Sequence, residues 1–284
     1  MTLEGRCMSH SSVSVQTHDH YLENGEHIVS KNVQLSQIAD WLKRGWHDMA
    51  HAPGISFFFG ALMALAVFSV YFSFNNQPIM MFKVATFFVM LSPFLATGLY
   101  YVAHKLENGK PVHFYEVLTS WRSNSSNIAL YALALGIIIA IWSRITPLIA
   151  ALAVSDGLII INPEVGLMSF MTSSLGLEFL AYFMLLASLV AVFVFMLSVV
   201  TIPLMLKDNK VGAISAMVLS FKVVMENKAV MAVWALIIGA LLTFGLVTLG
   251  SGMLIIMPLL GYASWHAFND LIEIDDGYPA INPS

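Results

Sequence analysis

Long apolar runs alternate with short polar connections along almost the whole of this chain, and six of the runs can cross a membrane. A hydrocarbon layer of about 30 Å takes about 20 helical residues. The runs lie near Ile55 to Phe74, Ile79 to Ala103, Ile128 to Trp142, Phe179 to Leu206, Ala229 to Thr248 and Met253 to Phe268. The third is short unless it tilts or continues past Arg144 into ITPLIAALAV, a tail too brief for a separate crossing that reads as an interfacial or re-entrant extension. Leu249-Gly250-Ser251-Gly252 predicts a tight hairpin between the fifth and sixth runs, because glycine tolerates the backbone angles of a reversal. The expected fold is an all-α polytopic membrane protein of six transmembrane helices with interfacial amphipathic helices. Composition agrees: with 58% hydrophobic and 11% charged residues, 284 residues have too little polar surface for a soluble globule.

Charge placement predicts the orientation. Arg6, Lys31, Lys43 and Arg44 precede the first run; Lys105, Lys110 and Arg122 fill the second connection; Lys207, Lys210, Lys222 and Lys228 fill the fourth. Of the 13 Lys and Arg, only Lys83 and Arg144 fall near the opposite face. By the positive-inside rule both termini are expected in the cytoplasm. Residues 1–34, polar and rich in Ser, His and Asn, are expected to be a disordered cytoplasmic tail, with 35–272 the membrane domain and 273–284 an acidic cytoplasmic tail. No apolar stretch of a cleavable signal occurs in residues 1–54, so the first helix is expected to serve as the targeting signal. Cys7 is the sole cysteine, which excludes an internal disulfide and any multi-cysteine metal site.

Before the first run, SQIADWLKRGWHDMAHAPG predicts an amphipathic helix from a cap at Ser36 to Pro53-Gly54. Ile38, Trp41, Leu42, Gly45, Trp46 and Met49 recur at helical spacing opposite Lys43, Arg44, Asp48 and His51. Two readings are open: a helix in the membrane interface, held by Trp41, Trp46, Lys43 and Arg44, or one docked on the bundle. Similar segments begin at Phe114 and Ala213. An offset of 100 residues pairs Ser120 with Ser220, Trp121 with Phe221, Arg122 with Lys222 and Asn127 with Asn227. Trp121 and Arg122 are therefore further candidates for the interface. Every second span also carries a proline, Pro93, Pro203 or Pro258, and PFLATGLYYVAHKL matches PLLGYASWHAFNDL with Tyr100 opposite Trp265. Three repeats of an interfacial helix plus a transmembrane hairpin would explain this pattern.

The runs WLKRGWHDMAHAPGISFFFGALMAL, FFVMLSPFLATGLYYVAHKLENGKP, LSVVTIPLMLKDN and MPLLGYASWHAFNDL resemble the DUF2189 family of predicted bacterial integral membrane proteins. The likeness runs from about residue 35 to 272. It implies a bacterial inner membrane and six helices. Some members are labelled as cytochrome c oxidase components, but the family has no established activity, so no functional residue carries over.

The residues can be set against that label. A haem-copper core needs several intramembrane imidazoles. His10, His18, His20 and His27 lie in the tail, His47 and His51 on the first amphipathic helix, and His113 in a connection; only His104 and His266 end spans. A single haem between those two is conceivable, yet polar pairing is the commoner role, and no cofactor is expected. His18, His20 and His27 could grip a metal, but tails of this composition cluster histidines by chance; no metal site is expected. No acidic residue falls inside the expected spans, since Asp156, Glu164 and Glu178 all belong to the connection 155–178. An acid/base dyad or a buried proton relay has no visible members. Ser69, Thr86, Ser188 and Thr201, and the spacings Gly60 to Ala64 and Ala235 to Gly239, read as packing.

The prolines remain. Pro93 and Pro258 lie near the middle of the bilayer, where a kink frees a carbonyl. With Pro203, Tyr100, Trp265 and His266 they outline a candidate cavity between kinked helices, of the kind that surrounds a transporter's site. The function expected is that of a non-catalytic accessory or scaffold component of a membrane complex; the alternative is a permease or lipid-handling protein using that cavity. Partners are membrane lipid and other membrane subunits, without nucleic acid. The orientation is testable. In a Cys7→Ser background and cells with a permeabilised outer membrane, a cysteine replacing Ser251 should react with an impermeant thiol reagent, and one replacing Asn209 should not. Labelling at position 209 alone would reverse the topology.

Overall fold

A computed structural model describes residues 16–22, 26–152 and 166–274. Cys7, His10, Asp156, Glu164 and the last ten residues lie outside that set. Strands β1 (Thr17–Tyr21) and β2 (His27–Lys31) lead into helix α1 (Gln37–His51), which a break at Ala52 separates from α2 (Pro53–Phe74). Then come α3 (Pro78–Leu95), α4 (Thr97–Glu107), α5 (Phe114–Thr119) with a 3-10 turn at Ser120–Asn124, and α6 (Ser125–Leu152). The rest is α7 (Leu167–Thr172), α8 (Ser174–Ser198), α9 (Thr201–Lys207), α10 (Ala213–Glu226), α11 (Lys228–Val247), α12 (Met253–Leu271) and β3 (Ile272–Ile274). Proline opens both α2 and α3, where its missing N–H costs no hydrogen bond. Ser173 caps α8 by accepting the Gly176 N–H at 3.0 Å.

The described residues are 81% helical, and the chain is polytopic. Among the described residues five helical stretches are long and apolar enough to cross a membrane: Pro53–Phe74, Pro78–Glu107, Phe114–Ala151, Ser174–Lys207 and Lys228–Val247. They turn large side chains outward, Phe72 being 74% exposed, Leu236 72% and Leu185 62%. Water would not tolerate apolar surface on that scale; lipid is indifferent to it. The sixth expected span is α12, which stands apart. Its 19 residues include Tyr262, Trp265, His266, Asn269 and Asp270, and most of the helix is buried by its neighbours.

Three expectations are corrected. The tail ITPLIAALAV does not leave the third span as a re-entrant piece. Through Leu152 it continues the 28-residue helix α6, with Thr146, Ile149 and Ala150 buried. Glu178 belongs to α8 rather than to the connection before it, one turn inside the helix. The segment expected to be disordered contains β1 and β2, an antiparallel pair whose second strand also pairs with β3, Ile28 opposite Ile274. That pairing crosses the boundary drawn at residue 272. β3 lies some 240 positions from β2, so that pairing leaves no local pattern.

The threefold repeat appears in the element order. Unit one is α1, α2 and α3–α4; unit two is α5 with its 3-10 turn, α6 and α8–α9; unit three is α10, α11 and α12. Within each unit the second and third members pack as a hairpin. Between units the docking is cyclic: α1 lies on α12, α5 on α4, and α10 on α8 and α9. Asn127 accepts the Ala213 N–H at 3.2 Å, and its counterpart Asn227 accepts the Val33 N–H at 2.9 Å. Each asparagine thus holds the backbone at or shortly before the start of the next unit's first helix.

Unit three is shorter. Its third member has 19 residues, against 30 in unit one and 34 in unit two. The turn after α11, where Leu249 and Gly250 take φ of 54° and 89°, packs Gly250 against Ala64 and Val67, midway along α2. Beyond that level a separate core is built from units one and two, around Met90, Trp142, Phe179 and Phe183.

Gly60 marks the closest approach of α2 to α12. A Cβ there would lie 2.4 Å from the Leu254 carbonyl oxygen, and backbone cannot move aside as a side chain can. Gly60→Ala should cost about 1–3 kcal/mol, read as a lower unfolding temperature in detergent. Gly239→Ala, with nothing within 4 Å of the added methyl, should be neutral or mildly stabilising; equal effects would show that the contact is not tight.

Candidate functional site

At the end of the bundle that carries the strands, α12 becomes polar, and four neighbouring helices meet its side chains. The Asp48 carboxylate of α1 lies 2.8 Å from His266 Nε2, with both residues buried. Trp41 donates its indole N–H to Asp270 at 2.8 Å, and Arg44 bonds the same carboxylate oxygen. From α2, Ser56 and Tyr262 share a hydrogen bond of 2.9 Å. From α4, Glu107 accepts from Trp265 at 3.1 Å and from Asn269 at 2.9 Å. Lys207, ending α9, donates to Asn269 at 3.0 Å and stands over the Phe268 ring. The ends of α4, α9 and α12 therefore close on one another through Glu107, Lys207 and Asn269, one polar residue from each unit.

Sequence spacing placed Ile38, Trp41 and Gly45 on the apolar face of α1, and all three are buried; the corrections are Asp48, which is buried with them, and Trp46, which is not. Trp41 is fully buried, edge-on to Trp234 at 5.6 Å, whereas Trp46 is 54% exposed. Gly45 sets this face, since a Cβ there would fall 2.8 Å from the Ala263 nitrogen of α12. Of the four residues named for a surface helix, Trp41 and Arg44 are engaged with the bundle; Lys43 and Trp46 are exposed. Trp121 is 45% exposed with the Arg122 guanidinium 5.6 Å from its ring, and both remain at the surface.

Trp265 and His266 lie on the polar part of α12, and Tyr100 is buried on α4. The prolines do not open a space beside them. Pro93 lies three residues before the break at Ala96, and the Val89 carbonyl that it leaves free accepts the Ser92 hydroxyl at 2.7 Å. Pro258 frees the Leu254 carbonyl, which is the group that Gly60 packs against. Pro203 sits in the first turn of α9, just after a break bridged by Ser220, which accepts from Val200 N–H and donates to the Met196 carbonyl. Leu99, Val102, Leu204, Ala263 and Ala267, from the three helices concerned, are all fully buried.

Strand pairing separates the tail histidines. His18 and His20 share one face of β1; His27 stands opposite Tyr21 on the other face and bonds Asp19 at 2.9 Å. No cluster of three metal-ligating side chains occurs among the described residues. His266 engages Asp48 through Nε2, and the His104 ring stands edge-on to Trp265. Sequence reasoning missed the acidic partners Asp48, Asp270 and Glu107, because each lies outside the apolar runs. The signal was on α12 itself, whose Trp, His, Asn and Asp need partners if the helix is buried.

Residues 79–207 match the family model DUF2189, described as a predicted integral membrane protein. This segment is similar to that family. The match takes in α3 to α9, including Pro93, Tyr100 and Pro203; α1 and α12 lie outside it. No curated protein and no solved structure matches the chain.

Asp48→Ala leaves the buried imidazole without its partner. A loss of about 3–5 kcal/mol is expected, measured as a fall in unfolding temperature followed by circular dichroism in detergent. Asp48→Leu combined with His266→Phe should recover much of it, since both polar partners leave together. A single variant as stable as the wild type would mean that the pair contributes nothing.

Proposed function

We propose that this integral membrane protein is a non-catalytic accessory or scaffold component of a membrane complex, placed in the bacterial inner membrane with both termini in the cytoplasm. The observation that carries the reading is that the acidic side chains gathered around α12 are paired within the chain. Asp48 pairs with His266, Asp270 with Trp41 and Arg44, and Glu107 with Trp265 and Asn269. The carbonyls freed by Pro93 and Pro258 are met inside the protein. What the chain leaves uncovered is its outside: apolar helix faces suited to lipid or to other membrane subunits. A permease would need room between α4, α9 and α12, where the side chains instead close on one another. The orientation follows from Lys and Arg, which concentrate at the end of the bundle where β2 and β3 pair.

Purification of the full chain in native lipid, followed by mass spectrometry, tests the role. A defined membrane protein should copurify in near-stoichiometric amount and be lost when bulky polar residues replace Leu185 and Leu189 on the exposed face of α8. Recovery of the chain alone, together with solute flux in reconstituted vesicles, would overturn the proposal in favour of the permease.

A further inference from the structure

The first helices of the three units are alike in position but not in what they expose. On α1 the outward residues include Asp40, Lys43 and His47. On α10 they are Ile214, Val218, Phe221 and Met225, an apolar stripe at helical spacing with Lys222 beside it. On α5 and its 3-10 turn the same design recurs: Tyr115, Leu118 and Trp121 are exposed, with Arg122 next in the chain. Lys222 and Arg122 are the two cations that the repeat places in equivalent positions. Alongside α10 runs a groove of about 140 Å³, bounded by Ile214, Ser215, Val218, Leu219 and Lys222 on the helix and by His20 to Leu22 on the other side.

We propose that this groove binds an anionic phospholipid of the leaflet at the strand-bearing end, with the headgroup phosphate at Lys222 and the acyl chains over the stripe of α10. A groove of this size admits a headgroup and not a whole lipid. The chains must therefore lie outside, where Val218 and Phe221 offer exposed apolar surface. Charge decides the class of headgroup. Lys222 makes no ion pair among the described residues, and the neighbouring carboxylate is already occupied: Glu226 is held by His20 at 3.3 Å and by the Ser30 hydroxyl at 2.5 Å. A cation on an interfacial helix next to bare apolar surface is the arrangement that selects anionic over zwitterionic headgroups. The inference does not depend on the scaffold role, since either kind of membrane protein could hold such a lipid.

Native mass spectrometry of the full chain in detergent, with phosphatidylglycerol and phosphatidylcholine added at equal concentration, provides the test. The wild type should retain phosphatidylglycerol in preference. Lys222→Glu should weaken that retention on the order of five- to tenfold, while Lys222→Arg keeps it. Ile214→Ser with Val218→Ser should weaken retention of both lipids. Inorganic phosphate should neither bind at millimolar concentration nor displace the lipid, because the acyl contacts are part of the site. Equal retention of the two lipids by the wild type, full phosphatidylglycerol retention by Lys222→Glu in protein with an unchanged circular dichroism spectrum, or displacement by inorganic phosphate would each overturn the proposal.

Discussion

The pairing of Asp48 with His266 joins the least apolar of the long helices to the segment that precedes the first span. Placed alone in an apolar interior, either group would lose its hydration without return, at a cost of several kcal/mol. Together, at 2.8 Å, they let α12 run through the centre of a protein whose other long helices are nearly featureless in polarity. The rest of the architecture follows from keeping that centre covered. Helix α1 must lie along α12, so Gly45 is a glycine; α2 must follow within one residue of α1's end, so the chain breaks at Ala52 and restarts at Pro53. Only because α1 brings Trp41 and Arg44 to the same place can Asp270 be held at the end of the helix.

A cyclic arrangement of three similar units gives each first helix the same task, which is to cover the third member of the unit before it. The means differ with the local problem. Where α8 breaks into α9, the freed backbone groups are bridged by the Ser220 hydroxyl, since lipid supplies no water to do so. Where α12 does not break, the unit needs glycine and an acidic residue. Shortening of unit three then divides the molecule. Near the strand-bearing end all three units surround α12, while farther away the packing of Trp142, Phe179 and Phe183 belongs to units one and two alone.

Spans, hairpins and the repeat were legible because they rest on periodicity, which any window of the chain displays. The five apolar crossings, the turn at Leu249 to Gly252 and the matching of Asn127 with Asn227 are of this kind. Features that depend on distant partners were not legible. Asp48 looked like part of a solvated edge until His266, more than 200 positions away, was placed against it; Trp46 looked buried because hydropathy cannot tell which of two adjacent apolar residues a glycine contact turns inward. The strands failed for the same reason, since β2 is defined as much by Ile272 to Ile274 as by its own five residues. For the candidate cavity, proline positions were right in sequence and misleading in consequence. Whether a freed carbonyl opens a site or is consumed depends on neighbours such as Ser92 and Gly60, which no spacing rule identifies.

Closure of the ring also explains why the two ends of the described chain are joined. In a cyclic array the first unit has no predecessor in sequence, so the last unit must be brought to it by contacts rather than by a peptide connection. Asn227 takes the Val33 N–H and donates to the Lys31 carbonyl, Glu226 accepts the Ser30 hydroxyl, and β3 pairs with β2 directly after α12 ends. These contacts are polar and directional, unlike the helix packing elsewhere, which fits their position outside the apolar runs, where backbone groups can pair in strands. The strands are thus the seam of the bundle. Loosening β2 would release α1 from above and β3 from below, and with them both covers of the polar end of α12.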